Sequence, residues 1–110
     1  MFSPELKKGS MEMLILSLLE ARARHGYEIG KLIENRSGGK LKFALPSLYP
    51  ALLRLENRGW IKGRWVEKPS ERQRCFYKLT AEGGRVLAQK QETWKEYIAA
   101  VNGIMETNRA

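Results

Sequence analysis

Seven residues between positions 47 and 74 carry the chemistry legible in this chain: Ser47, Tyr49, Arg54, Asn57, Lys68, Arg72 and Arg74. Their hydroxyl, amide, ammonium and guanidinium groups all donate hydrogen bonds to phosphate oxygens, and Arg and Asn also match the edges of bases. No catalytic constellation accompanies them. A single Cys (Cys75) and a single His (His25) make an intrachain disulfide impossible and a Cys/His metal site within one chain unexpected. A glycine-rich phosphate loop and a nucleophile–base pair are also missing, so neither enzymatic activity nor a cofactor is expected. Cys75 reads as a small strand residue or as a redox-sensing thiol, and His25 as a turn residue.

The distribution of charge supports a polyanionic partner. The 110 residues carry a formal net charge of +8, all of it in residues 1–80, which hold 16 Lys/Arg against 8 Asp/Glu. Residues 81–110 hold 4 of each sign and are neutral. A basic body then meets a polyanion and a neutral tail meets protein, unless the excess of Lys and Arg serves solubility alone. The expected division is a domain over 1–80 and a dimerisation helix over 81–110. The apolar run Met13–Leu19 is far too short to span a membrane, and no signal peptide is visible. A soluble, cytoplasmic protein with no membrane partner is expected.

The elements that must position these groups follow from periodicity. Residues 1–9 read as a loose arm. Ser10 is a plausible N-cap for a first helix over about Met11 to Ala23, where Met11, Leu14, Ile15, Leu18 and Leu19 form an apolar stripe. Met13 and Leu16 lie off that stripe, giving the helix more than one apolar face. A second helix, about Tyr27 to Asn35, follows the His25-Gly26 turn and ends at Ser37-Gly38-Gly39. Residues 40–45 read as a short strand or an extended linker.

The third helix is placed at about Ser47 to Arg58, with Ser47 as N-cap and Pro50 in the first turn, where no intrahelical donor is required. Leu48, Ala51, Leu52 and Leu55 share its inner face. Pro50, Leu53, Arg54 and Asn57 lie outward, with Tyr49 at the edge. Ser47 and the free amides beside it suit a phosphate. Leu53 reads equally as a thymine-methyl contact or as an ordinary exposed leucine. Two alternating strands follow: Ile61, Gly63 and Trp65 oppose Lys62, Arg64 and Val66 across the first, and Cys75, Tyr77 and Leu79 oppose Arg74, Phe76 and Lys78 across the second. The turn between them, about Glu67 to Gln73, is polar and basic.

Thr80 caps a long final helix despite the unfavourable Gly83-Gly84 pair. Leu87, Gln91, Trp94, Ile98, Val101 and Met105 recur at steps of four and three, which is a heptad seam, and Tyr97 and Ile104 widen it. A chain of this size offers such a stripe little to pack against, so a second copy is the expected partner. The fold class is therefore mainly α with a small β-hairpin wing (α+β): a winged helix-turn-helix followed by a C-terminal dimerisation helix.

The segments His25-Gly26-Tyr27-Glu28-Ile29, Ser47-Leu48-Tyr49-Pro50-Ala51-Leu52, Arg54-Leu55-Glu56 and Gly59-Trp60-Ile61 resemble the PadR family of bacterial transcriptional regulators. Trp65, Arg74, Phe76-Tyr77 and Leu79-Thr80 extend the resemblance, which covers about residues 10–80. The short single C-terminal helix with Trp94 looks like the smaller subfamily. The resemblance implies a homodimeric repressor on a palindromic double-stranded operator, its C-terminal helices packed with the partner's first helix. It also implies release by a small aromatic effector, with Trp94 and Tyr97 as the ligand-binding pair. From the residues alone Trp94 is equally a plain member of the dimer core. Leu53 and Cys75 depart from the family, which often has polar residues at the first position and basic or polar ones at the second. Two other readings stay open: a winged-helix module that binds protein, and a basic protein that binds nucleic acid without sequence preference.

Overall fold

The computed structural model describes residues 4–67 and 73–107. Its elements run α1 (Pro4–Ala21), β1 (Arg24–His25), α2 (Gly26–Arg36), α3 (Leu45–Asn57), β2 (Ile61–Val66), β3 (Arg74–Leu79) and α4 (Ala81–Thr107). The strands form one antiparallel sheet in the order β1-β3-β2. The fold is α+β, a winged helix with a long C-terminal helix.

The core is three-helical with the sheet at its edge. Met11, Ile15, Leu16, Leu18 and Leu19 of α1 meet Ile29 and Ile33 of α2 and Leu48, Ala51, Leu52 and Leu55 of α3, with Phe43, Ile61 and Leu87 closing the gaps. Leu16 is fully buried and Met13 partly so, which confirms a first helix apolar on more than one face. That helix starts earlier than its Ser10 N-cap suggested: it runs through Gly9-Ser10 from Pro4. Proline is favoured at the first helical position, where its missing N–H is not needed, and one glycine weakens a helix without stopping it.

Both helix–turn junctions of the helix-turn-helix are closed by glycine. At the end of α2, Gly38 N–H donates to Asn35 O and Gly39 N–H to Glu34 O (3.2 and 2.8 Å). At the end of α3, Gly59 N–H donates to Glu56 O and Trp60 N–H to Leu55 O (2.9 and 3.1 Å). These are paired Schellman bonds, and Gly38 and Gly59 supply the left-handed residue with φ of 65° and 80°. Residues 41–44 between α2 and α3 are an extended linker and contain no strand.

Three further details differ from the sequence reading. A third strand exists: Arg24 and His25 pair with Tyr77 and Phe76. Two residues are too few to show alternation, and only the sheet edge of β3 makes them a strand. The N-cap of α3 is Ala44, not Ser47, and Pro46 lies in the first turn. Pro50 therefore falls inside the helix, one turn later than the Ser47 cap implied. Leu87, counted with the C-terminal seam, is fully buried against the protomer's own core and has no surface left for a partner.

The start of α4 explains its two glycines. Thr80 Oγ1 accepts from Gly83 N–H (3.0 Å) as the N-cap and donates to Gly59 O (2.7 Å), while Thr80 N–H donates to Trp60 O (3.1 Å). Helix and loop approach so closely that a β-carbon on Gly83 would stand 1.9 Å from the Trp60 carbonyl oxygen. Beyond Gln91 the helix leaves the body. The radius of gyration of 16.1 Å exceeds the roughly 13 Å of a compact chain of this length, and α4 is what extends it.

Candidate nucleic-acid interface

Burial of Leu48, Ala51, Leu52 and Leu55 fixes the rotation of α3 and turns the opposite face to solvent. Ser47, Tyr49, Pro50, Leu53, Arg54 and Asn57 are all exposed there. Tyr49 is held from behind: Gly26, at the start of α2, lies against its ring. Arg54 and Arg58 both reach Glu12 of α1, at 3.9 and 3.0 Å. Arg54 pairs with that residue rather than with a neighbour on its own helix, and it remains half exposed, as a group available to a second anion must be.

The helix start does not offer the cluster of open amides expected around Ser47. Ser47 N–H and Leu48 N–H both donate to Ala44 O (2.9 and 3.0 Å), and Pro46 has no N–H. Ser47 keeps only its hydroxyl for a ligand.

Of the wing residues, Lys68 and Arg72 lie outside the described residues. Arg74 opens β3 opposite Val66, the strand pair next to the connecting turn. Its Nη1 stands 3.1 and 3.3 Å from the two ring nitrogens of His25, over the face of the ring. His25 is more than a turn residue: its Nδ1 accepts from Glu28 N–H (3.1 Å) and so caps α2. Phe76 meets the ring edge-on at 5.2 Å. Burial, and then the positive charge of Arg74, hold the His25 pKa below its usual value, against the smaller opposing pull of Glu28. The ring is thus kept neutral, as an N-cap acceptor must be.

The hairpin register adds three cations that were not among the candidates. Lys62 sits directly opposite Lys78, and Arg64 opposite Phe76, on the outer face of the sheet. Lys62, Arg64 and Lys78 are exposed, and none has an ion pair among the described residues. Like charges directly across a strand pair destabilise it, so this arrangement does nothing for folding. The alternation of the strands contained part of the signal, since it set Lys62 and Arg64 on one face of the first strand and Lys78 with Arg74 and Phe76 on one face of the second; the pairing joins those two faces.

The other arginines sort differently. Arg24 is buried: its Nε donates to Leu18 O (2.8 Å) and its Nη1 to Glu28 (3.0 Å), which also receives Arg22. These charges tie α1, β1 and α2 together. On the inner face of the hairpin Glu56 accepts from Gly63 N–H (2.9 Å), which joins α3 to β2. Burial and the Cys75 thiol raise the Tyr77 pKa far above the ordinary phenol value. A β-carbon on Gly63 would meet Cys75 Sγ at 2.7 Å. Cys75 therefore fills a packed, half-buried position under the wing.

A helix with a polar outer rim and a cationic hairpin beside it is the geometry of duplex recognition. The profile of the PadR-like family of transcriptional regulators matches residues 15–89. The chain belongs to the PadR family. Solved structures agree. A transcriptional regulator from Clostridium thermocellum is 32% identical, with a TM-score of 0.85 over 93% of this chain and 96% of that one. A PadR family transcription regulator from Clostridium difficile is 31% identical, with a TM-score of 0.79 over 88% and 99%. A PadR family transcriptional regulator from Eggerthella lenta is also 31% identical, with a TM-score of 0.83 over 94% and 88%. As a PadR regulator this protein binds DNA and acts in transcription, not in catalysis. No helix among its described residues is long and apolar enough to cross a membrane.

The distal part of α4 holds the remaining candidates. Trp94, Tyr97, Ile98 and Met105 are exposed in the protomer, as is Ile104, and Val101 is half-buried. Trp94 is 45% exposed and Tyr97 62%, with ring centroids 6.4 Å apart and tilted by 31°. They form one aromatic patch on the outer part of α4.

Proposed function

We propose that this PadR regulator is a cytoplasmic homodimeric repressor that holds a palindromic double-stranded operator and releases it when a small flat aromatic ligand binds. One observation carries the reading: the distal half of α4 presents Trp94, Tyr97, Ile98 and Met105 to water, with none of the described residues of the protomer covering them. A second α4 with its Trp94, Ile98, Val101 and Met105 gives that stripe an apolar partner, and residues 81–110 then serve as the dimerisation unit of the domain at 1–80. The two helices α3 lie in successive major grooves. Ser47, Tyr49 and Arg54 hold backbone, and Asn57 faces base edges. Arg74, with Lys68 and Arg72 of the wing turn, reaches the flanking phosphates, joined by Lys62, Arg64 and Lys78.

Where the two seams meet, Trp94 and Tyr97 of each subunit form the walls of an aromatic slot. Occupying it changes the angle between the helices and hence the spacing of the two α3.

Sedimentation at micromolar concentration and selection from random duplex DNA test the first part. A dimer and a palindrome with half-sites about one helical turn apart are expected. A monomer, or uniform weak binding to every sequence, contradicts it. Quenching of tryptophan fluorescence by planar aromatic compounds tests the second part. The quenching should vanish in Trp94→Ala while the dimer persists; no response to a broad panel leaves Trp94 as a dimer-core residue only.

A further inference from the structure

We infer that Leu53 reads thymine methyl groups, so that the DNA site of this protein carries a thymine at one fixed step of each half-site. The inference rests on the duplex-binding reading above and adds the base that is recognised.

The outer ridge of α3 is built from Pro46, Pro50, Leu53 and Asn57, spaced by four, three and four residues and all exposed. This spacing lines them along one face of a helix, and the buried Leu48, Ala51, Leu52 and Leu55 occupy the opposite face. Leu53 is 58% exposed at the centre of the ridge, so its side chain does little for the core. Arg54 and Ser47 flank the ridge on one side and Tyr49 on the other. A polyanion suits those flanks and the cationic hairpin beside them better than an apolar protein surface would.

The chemistry of the ridge narrows what it can read. Pro46 and Pro50 have neither a backbone N–H nor a polar side-chain atom, and Leu53 has only hydrocarbon to offer. Directional hydrogen bonds from the ridge are therefore left to Asn57. Among the groups that base pairs expose in the major groove, the thymine C5 methyl is the apolar one. A leucine at the middle of a groove-filling helix selects for it. Asn57 lies about 6 Å further along the axis, one turn on, and pairs best with adenine. Both contacts favour A·T pairs.

The test replaces thymine by deoxyuridine, one position at a time, in a duplex selected by the full-length protein. Uracil keeps every hydrogen-bonding group and loses only the methyl. Binding should weaken about fourfold at one step of each half-site, the value of one buried methyl-sized group. In Leu53→Ala the same step should be indifferent to the exchange. Arg54→Ala should bind both duplexes more weakly while keeping the preference for thymine. Circular dichroism checks that the fold of each variant is intact. Equal binding of thymine and uracil at every step, or a preference that survives in Leu53→Ala, overturns the inference alone. Failure to bind any duplex overturns it together with the functional reading.

Discussion

The first residue of α2 packs against α3 at a glycine: a β-carbon on Gly26 would stand 2.7 Å from Tyr49 Cε1 and 3.2 Å from Cζ. Leu52 Cδ1 would be 3.3 Å away on the other side. The close approach fixes where the Tyr49 hydroxyl points, because the ring has α2 behind it and solvent in front.

Gly26→Ala should therefore act on both stability and DNA binding. Alanine gains up to about 1 kcal/mol over glycine in a helix, whereas overpacking typically costs 1–3 kcal/mol, so a net loss of about 1–2 kcal/mol is expected. Urea denaturation measures it, and titration with DNA should show weaker binding as Tyr49 swings aside. In a Tyr49→Ala background the same substitution should do much less. Equal effects in the two backgrounds would show that the Gly26–Tyr49 approach is not what matters.

Two adjacent glycines at the start of α4 should respond with opposite signs. A β-carbon on Gly83 meets the Trp60 carbonyl oxygen at 1.9 Å, backbone that cannot step aside, while one on Gly84 meets only Leu79 Cδ2 at 3.9 Å. Gly84→Ala should stabilise by about 0.5–1 kcal/mol through helix propensity. Gly83→Ala should destabilise by about 3 kcal/mol, at the top of the range for overpacking. Thermal unfolding of the two variants decides this, and a stabilised Gly83→Ala would mean that α4 does not cross Trp60 as described.

The Lys62–Lys78 pair separates function from folding. Lys78→Glu replaces a like-charge pair across the strands with an opposite one, which should leave the free protein up to about 0.5 kcal/mol more stable. DNA binding should fall for all sequences alike, and the slope of log affinity against log salt should shrink by roughly one for the lost phosphate contact. Unchanged affinity with an unchanged slope would place the outer sheet face away from the duplex.

Much of this was legible in the sequence because period and position agree. The inner face of α3, the alternating faces of the two hairpin strands (Ile61/Gly63 and Tyr77/Leu79), and the Thr80 cap all follow from spacing that one element sets by itself. What escaped depends on two elements at once. The two-residue strand at Arg24 has no pattern of its own, and the linkage of Arg54 and Arg58 to Glu12 spans more than forty residues. The Ser47 cap failed for a local reason: Pro46 is equally suited to a first turn, and the helix begins one residue before it. Leu87 fits the heptad arithmetic, but the core reaches α4 before the seam begins. Lys62 and Lys78 were placed on the right faces, and only their lack of acidic partners among the described residues marks them for function.

His25 makes stability depend on pH. Its Nδ1 must be unprotonated to accept from Glu28 N–H, and the groups facing the ring from the other elements are Arg74 on β3 and Arg22 before β1, both cationic. Burial is the largest cause of its lowered pKa, Arg74 adds to it, and Glu28 opposes it. In the interval between the lowered folded value and the ordinary 6.5, the unfolded chain therefore binds more protons than the folded one. The contribution of this residue to stability is full above 6.5 and is lost as pH falls through that interval. Nuclear magnetic resonance titration should find the ring protonating below 6.5. His25→Asn keeps a good N-cap without a titrating ring, so its stability at pH 7.5 should lie within about 0.5 kcal/mol of the parent and the difference should shift in favour of the variant on acidification. A ring that titrates at or above its ordinary value, or a stability difference that does not change with pH, would show that the ring is not buried beside Arg74 in solution as described.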